Sequence, residues 1–591
     1  MFETVYENWW DELFKHETSK IPTKRSRLIW ECFVFFVVAI VAGAMVGIAW
    51  RGPELSLLGV PGLGLYFHGQ LRQRKLRWRL FQSAAFGYVG FLVSNFWMAW
   101  TIESTAQLGS SEAVLFSHLI HLLHGGMFVL FSFLGWIAER RIRNGWLLFP
   151  LAFVAAELIW PSLFPFRQGC LLFVIPQLVQ SVSVFGIAAA SLQIALLSCL
   201  LPLGVACVRL FKSPFQIGRP QAVLATLAII TITLVNFAWG QWRMQTIEHT
   251  KNNLAGETFS ALVVQNDTTY ATYHIDLMKR SRQNDDDCDL IVWPECSIGH
   301  FDRSLTGFSD FRRLAKLSYG YGYDSVRPLS DPDCYLLAGG YSSSRLAGDP
   351  ATEDRTELPE YEDEEDEHQL ESKFVTAFLI NPAETIVGRH DKVKLMAGGE
   401  YTPAEWLVSE VDDWFEPWTT LDEGLSEEME EDFEAGPENH PLSSGTQSLP
   451  IGTIDDVSVG AMLCCEDMYP SISRELTASG ADVLICLANG TCFNEEAALY
   501  QHFLISRFRA IENNRYLLRC GSLGVSALVS PSGEVVDRLP CFEDHSMRVE
   551  IPKENRQFSI FTRHGSWPLF AVCIFAYLTI GRSAVFATKI Q

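Results

Sequence analysis

The chain lacks any Cys-x-x-Cys pair, although it holds fourteen cysteines in 591 residues. Zinc ribbons, zinc fingers and dithiol redox motifs depend on such spacing, so those classes fall away. There is no helix-turn-helix pattern and no excess of positive charge: 69 acidic residues against 46 Lys and Arg leave a formal net charge of -23. Phosphate backbones are bound by basic surface, so nucleic acid is not expected as a partner. The acidic tracts carry no ordered calcium-ligand spacing, and no metal or cofactor is expected. Nine cysteines fall within residues 241–565. An odd number cannot all pair among themselves, so at least one thiol there stays reduced or bonds elsewhere, and the pairing of the others is open.

What the chain does have is apolar length. Hydrophobic residues make up 48% of a strongly acidic protein, a combination that one folded unit rarely carries. The two properties separate along the chain. Residues 28–240 are a succession of apolar runs with few acids, and residues 241–565 hold the acidic tracts. Leu28 to Trp50 is long enough to span a bilayer and longer than the apolar part of a signal peptide. Further runs extend from Leu55 to Phe67, Phe81 to Trp100, Ala113 to Ala138, Trp146 to Trp160, Val184 to Val208 and Ala222 to Trp239. A last run starts near Trp567, within residues 566–591. About seven helices are therefore expected before the soluble part and one after it.

Basic residues mark cytoplasmic loops. Lys15, Lys20, Lys24, Arg25 and Arg27 cluster in and around residues 1–27, and Arg72, Arg74, Lys75, Arg77 and Arg79 cluster after the short second run. Arg140, Arg141 and Arg143, then Arg209, Lys212 and Arg219, occupy the next alternate intervals, whereas Thr101 to Glu112 has no basic residue. Seven spans that start inside end outside, which places residues 241–565 outside the cytoplasm. The short run at Leu55 is the step on which this orientation turns. Within the spans, Glu157, His118, His121 and His124 are costly in lipid and face protein or water. Hydrogen bonding between helices is the expected role, with substrate access as the alternative.

From Phe259 the pattern becomes one of short apolar strands, SALVVQ, LIVWPE and YLLAGG among them, alternating with polar or helical stretches. This is an α/β pattern with buried strands. Acidic insertions near 349–371 and 410–444 suit solvated loops or disorder. Three strand-end motifs surround them: VWPE, ending at Glu295; DKVKLMAGGEYTP, with Lys392 and Glu400; and VGAMLCCEDMYP, with Cys464, Glu466 and Pro470. Singly, a strand-end Glu is a cap, a Lys is solvated and a buried Cys fills core. Together they suit covalent acyl chemistry. Glu295 can activate the Cys464 thiol, and Lys392 can stabilise an oxyanion. Glu400 and Glu466 are supporting carboxylates.

The order and context of these motifs resemble the nitrilase, or carbon-nitrogen hydrolase, superfamily and its Glu-Lys-Cys triad. Joined to a seven-plus-one helix pattern, they resemble the apolipoprotein N-acyltransferase family over nearly the whole chain. ADVLICLANGTCFN, QHFLISRFRAIENNRYLLRC, GVSALVSPSGEVV and HGSWPLF carry the likeness, as does the span from Glu157 to Phe164-Pro165-Phe166. The resemblance implies an α-helical multi-span membrane domain plus an α/β nitrilase-like domain, an αββα sandwich. It further implies a bacterial inner-membrane enzyme that moves an acyl chain from a phospholipid donor to a diacylglyceryl lipoprotein acceptor, with a periplasmic catalytic domain. A membrane-anchored amidase and a non-catalytic lipoprotein-binding homologue are the alternatives. The chain departs from the family at Met396-Ala397-Gly398-Gly399-Glu400, at Cys465 and at Asn489-Gly490-Thr491-Cys492-Phe493, where small groups replace aromatics. Acyl-chain fit is the property these exchanges touch.

The expected orientation is tested by a reporter fused after Gly240. An enzyme reporter active only outside the cytoplasm should be active there, and a cytoplasmic readout would reverse the topology.

Overall fold

A computed structural model describes residues 24–106, 108–142, 144–208, 218–253, 258–266, 288–298, 300–302, 334–345, 370–383, 385–396, 400–401, 442–491, 493, 495–553, 557–575 and 579. The chain forms two compact units, one of Met1–Ala99, Val114–Thr246 and His564–Gln591, the other of Trp100–Ala113 and Ile247–Arg563. Almost all of both acidic insertions, most of the N-terminal basic segment and the end of the last apolar run lie outside the described residues.

The apolar runs of the first unit become helices, the form in which a chain satisfies its own backbone polar groups without water. They are α1 (Lys24–Ala49), α2 (Gly59–Arg72), α3 (Leu76–Ser94), α4 (Met98–Ala106), α5 (Ser110–Arg141), α6 (Phe149–Ile159), α7 (Ala188–Val208) and α8 (Arg219–Asn253), of which α4, α5 and α8 run partly into the second unit. Among the described residues, three helices are long and apolar enough to cross a membrane: α5, α7 and the Arg219–Thr250 part of α8. A fourth span results if α3 and the following Met98–Thr105 helix, bent by 65°, count as one. The run at Leu55 opens as a 3-10 turn, Pro53–Leu58, and continues as the 14-residue α2. At the usual helical rise, α2 is about 21 Å long, less than the roughly 30 Å of a bilayer's hydrocarbon.

Aromatic side chains fill the centre of this unit. Tyr66 stacks on Phe86 at 4.0 Å between ring centroids, and Phe67 lies 5.1 Å from Phe131. The Tyr66 hydroxyl donates to Ser83 Oγ at 2.7 Å, which satisfies its polar end. Paired glycines let α3 and α5 approach closely: a Cβ on Gly87 would lie 2.5 Å from the Gly125 carbonyl oxygen. Of the four polar residues expected to bond between helices, three make hydrogen bonds, whereas His124 packs against Phe91, Phe164 and Phe166 and its Nε2 has no hydrogen-bond partner among the described residues. His118 Nδ1 lies 3.1 Å from the Tyr88 hydroxyl, and His121 Nε2 lies 3.3 Å from the Asn95 carbonyl. Glu157 Oε1 accepts the Gln168 N–H at 2.9 Å.

The second unit is built on two sheets. The first has the order β13-β1-β2-β4-β5-β6, with β3 also paired to β4. Its strands are β1 (Thr258–Gln265), β2 (Leu290–Val292), β3 (His300–Asp302), β4 (Tyr335–Arg345), β5 (Leu370–Ile380), β6 (Ile386–Asp391) and β13 (His545–Pro552). The second has the order β12-β11-β10-β9-β8-β7. It comprises β7 (Gly452–Ile454), β8 (Val457–Leu463), β9 (Val483–Asn489), β10 (Tyr516–Ser522), β11 (Ala527–Val529) and β12 (Val535–Arg538). β8, β9 and β10 run parallel, and their continuous apolar sequences are buried on both faces. By contrast β13, at an edge, alternates exposed and buried positions.

Side chains from both sheets share one apolar core, with Val263, Val292 and Leu379 from the first packed among Val459, Ile485 and Leu518 from the second. Cys520 Sγ, on β10, reaches across to the Val292 carbonyl at 3.3 Å. α9 (Pro470–Ala478), α10 (Glu496–Ser506) and α11 (Phe508–Asn513) follow the second sheet's strands, and Pro470 starts α9 at a position where its missing N–H costs nothing. This is the expected α/β sandwich.

Gly87→Val should force α3 and α5 apart and destabilise the solubilised protein by about 1–3 kcal/mol, the usual cost of overpacking. Gly204→Ala is the control, because a Cβ there meets nothing within 4 Å. Thermal unfolding in detergent should show a lower Tm for the first variant and an unchanged or higher Tm for the second.

Candidate active site

Three chain segments converge where strands of the two sheets end. β2 stops before Trp293-Pro294, and the turn that follows carries Glu295. Hydrogen bonds from Trp293 N to Leu337 O (2.9 Å), Gly339 N to Pro294 O (3.2 Å) and Ile298 N to Gly339 O (3.0 Å) fasten that turn to β4. Gly339 is required by closeness: a Cβ there would lie 2.7 Å from Glu295 Cα. Lys392 directly follows β6, and its backbone N–H donates to Val375 O at 2.8 Å. Cys464 directly follows β8.

Lys392 is the centre of the cluster. Its Nζ donates to Glu295 Oε1 at 2.9 Å and to Glu400 Oε1 at 2.5 Å. The lysine side chain is 1% exposed and that of Glu295 4%. Glu400 is itself held, since its Oε2 accepts the Met396 N–H at 2.7 Å. Burial works against the Lys392 charge, but the fields of Glu295, Cys465, Cys464 and Glu400 outweigh it and raise the ammonium pKa well above its ordinary value. Burial pushes the Glu295 carboxyl above the usual carboxylate range; Lys392 opposes this and Glu400 adds to it. A raised carboxyl is a stronger base when ionised, and the nearby Cys464 side chain acts on Glu295 in the opposite, lowering direction.

The two adjacent cysteines are placed differently by a change of backbone conformation. The strand ends at Leu463, and Cys464 opens a 3-10 turn, Cys464–Met468, with a φ of 45°. That left-handed backbone is unusual for a residue with a side chain and turns Cys464 toward Glu295. Cys464 Sγ also lies 3.8 Å from the Asn489 carbonyl. Cys465 Sγ donates instead to Lys394 O at 3.3 Å, and burial raises its thiol pKa far from neutrality. Cys296, beside Glu295, is pushed up to about 12 by burial and the neighbouring carboxylate.

Glu466 binds the turn to the lysine loop. Its Oε1 accepts the N–H groups of Val393 (2.6 Å) and Lys394 (3.3 Å), while Oε2 accepts that of Leu463 (2.8 Å) and lies 2.9 Å from His390 Nε2. Burial alone would raise this carboxyl, but His390 and the backbone donors hold it below its ordinary value.

Four residues near the site were not singled out from the sequence: His390, Asp467, His502 and Arg519. Asp467, in the same turn as Cys464, accepts from His502 Nε2 at 2.6 Å and from Arg519 Nε at 3.1 Å. The only local signal was the acidic pair following the cysteines and a polar residue two positions before Lys392. Among the described residues, no group of three or more His, Cys, Asp or Glu could hold a metal ion.

A buried Glu-Lys pair facing a cysteine at the strand ends of such a sandwich defines a carbon-nitrogen hydrolase type of catalytic domain. The carbon-nitrogen hydrolase family model matches residues 264–558, and the model for the apolipoprotein N-acyltransferase N-terminal domain matches residues 42–200. The chain belongs to the apolipoprotein N-acyltransferase family.

Among similar proteins, the apolipoprotein N-acyltransferase of Geobacter metallireducens is 22% identical over 579 residues, covering 93% of this chain and 94% of its own. That of Bdellovibrio bacteriovorus is 26% identical over 526 residues, 84% of each chain. Of solved structures, the amidase from Nesterenkonia sp. AN1 is 15% identical, covering 53% of this chain and 98% of its own with a TM-score of 0.32.

Glu466→Gln would set an amide donor against backbone N–H donors, at a cost of about 1.5–3 kcal/mol for a lost charged hydrogen bond. Because the folded-state pKa lies below the ordinary carboxylate range, this contribution is complete above that range and is lost as pH falls through the depressed value. Thermal unfolding should therefore show the wild-type advantage at neutral pH and its disappearance in acid.

Proposed function

We propose that Glu295, Lys392 and Cys464 carry out acyl transfer through a cysteine thioester, with Glu400 and Glu466 as positioning carboxylates. The observation that carries this reading is the buried Lys392 ammonium held between Glu295 and Glu400 beside the Cys464 turn. The protein is an acyltransferase of lipoprotein N-acylation. Its donor is a membrane phospholipid and its acceptor the N-terminal amine of a diacylglyceryl-cysteine lipoprotein. Residues 28–240 form the membrane domain of about seven spans, residues 241–565 the catalytic domain on the periplasmic side of a bacterial inner membrane, and residues 566–591 the last span and a short tail.

In the first half reaction the Glu295 carboxylate takes the Cys464 thiol proton, and the thiolate attacks the donor's ester carbonyl. The carbonyl pair moves onto oxygen, where the Lys392 ammonium stabilises the negative charge at low local dielectric. Collapse of the tetrahedral intermediate breaks the ester bond. Glu295 returns its proton to the departing oxygen, lysophospholipid leaves, and the acyl group remains as a thioester. The acceptor amine then attacks the thioester carbonyl. Lys392 again faces the oxyanion, Glu295 takes a proton from the nitrogen and delivers it to the leaving thiolate, and the product is an amide. Two substrates confined to a bilayer account for a catalytic domain tethered by membrane helices at both ends.

Purified protein incubated with acyl-labelled phospholipid should retain label on Cys464 and pass it to a diacylglyceryl peptide added afterwards. Cys464→Ala should abolish acyl-enzyme formation, while Cys465→Ala should retain much of it. Release of label only as free fatty acid, or cleavage of soluble amides in preference, would favour a tethered amidase and overturn transfer.

A further inference from the structure

We propose that Cys288 and Cys334 are a disulfide-forming pair, a modification site separate from the catalytic cysteine. Their sulfurs lie 3.2 Å apart, inside an ordinary sulfur–sulfur contact, although the residues are 46 positions apart in the chain. Both are buried, and both belong to one apolar cluster with Leu262, Val264, Ile291, Trp293 and Leu336. Cys334 Sγ also lies 3.5 Å from Tyr335 O, as the sulfurs of Cys465, Cys486 and Cys520 lie near carbonyls of their own, but its contact with Cys288 Sγ is the shorter of its two.

The backbone sets this closeness. Cys288 precedes β2 and Cys334 precedes β4, two neighbouring parallel strands whose register pairs Leu290 with Tyr335. Tyr335 N donates to Asp289 O at 3.0 Å, so the chains are already joined at the residues next to both cysteines. A disulfide bond is about 2.05 Å long, so the sulfurs must approach by roughly 1.1 Å. Small side-chain rotations supply that distance without parting the strands.

The bond forms by thiol–disulfide exchange with an external protein disulfide, as the chain folds and before the cluster closes over the sulfurs. One cysteine, as thiolate, attacks the donor's disulfide and releases a donor thiolate, leaving a mixed disulfide. The second attacks the mixed disulfide at its own partner's sulfur. Two protons and two electrons leave the pair, and the donor departs as a dithiol. The crosslink encloses the Glu295 turn and ties the starts of the two strands that carry and back it. Exposure to such an oxidant rests on the proposed periplasmic location.

The test uses the full-length protein extracted from membranes, with thiols blocked at once by a maleimide under denaturing conditions and then digested. Mass spectrometry should find the Cys288 and Cys334 peptides joined, two hydrogens lighter than the sum of the thiols, and separated by reductant. A second sample of the same protein is reduced, unfolded and refolded in an oxidised glutathione buffer. Joined peptides in both samples support the pair. Joined peptides only after refolding support the pair and sink the periplasmic location instead. Two separately alkylated cysteines in both samples would overturn the proposal whatever the reporter after Gly240 shows. In Cys288→Ser the mass link must vanish and Cys334 must become alkylated; a new link from Cys334 to another cysteine would also overturn it.

Discussion

A primary ammonium with 1% of its side chain exposed is the constraint around which the catalytic unit is arranged. Withdrawing such a charge from water costs several kcal/mol, and the protein offsets that cost only by surrounding it with carboxylate oxygens at hydrogen-bond distance. Burial is the main reason that the Glu295 proton is harder to remove than that of an ordinary carboxyl, and the second carboxylate, Glu400, adds to it against the pull of Lys392. The same arrangement makes the lysine permanently charged and therefore useful where negative charge develops. In the proposed mechanism, charge balance in the resting site and charge stabilisation during reaction come from one set of contacts.

Those contacts demand accuracy that loops by themselves would not provide. Glu295 and Lys392 both leave the first sheet, and Cys464 leaves the second, so the distance between them is set by how the sheets pack. Glu466 adds a direct tie between the cysteine turn and the lysine loop, with four donors on two oxygens. Behind it, Asp467, His502 and Arg519 fix the same turn from its other side. A network of this kind is stable only when every member is satisfied, which couples the turn's position to the integrity of its surroundings.

Much of this was legible before any coordinates. The strand-end positions of Glu295, Lys392 and Cys464 followed from apolar runs that stop abruptly, and Glu400 followed from its closeness in the chain. His390 was not legible, because its meaning lies in a carboxylate 76 residues away. The difference between Cys464 and Cys465 arises from a change of backbone conformation that neither residue type announces. In the helical unit, hydropathy located the apolar runs but not their breaks. The bend after Ser94 and the 3-10 turn at Pro53–Leu58 depend on packing and local geometry, to which a hydrophobic count is blind.

The left-handed backbone of Cys464 bears on how this position can change over time. A side chain at positive φ costs on the order of 1 kcal/mol, and glycine would remove that cost. Replacement by glycine would thus relax the turn while deleting the sulfur. Under the proposed acyl transfer, stability and activity pull in opposite directions at this one residue: glycine here would trade the thiol for a less strained turn.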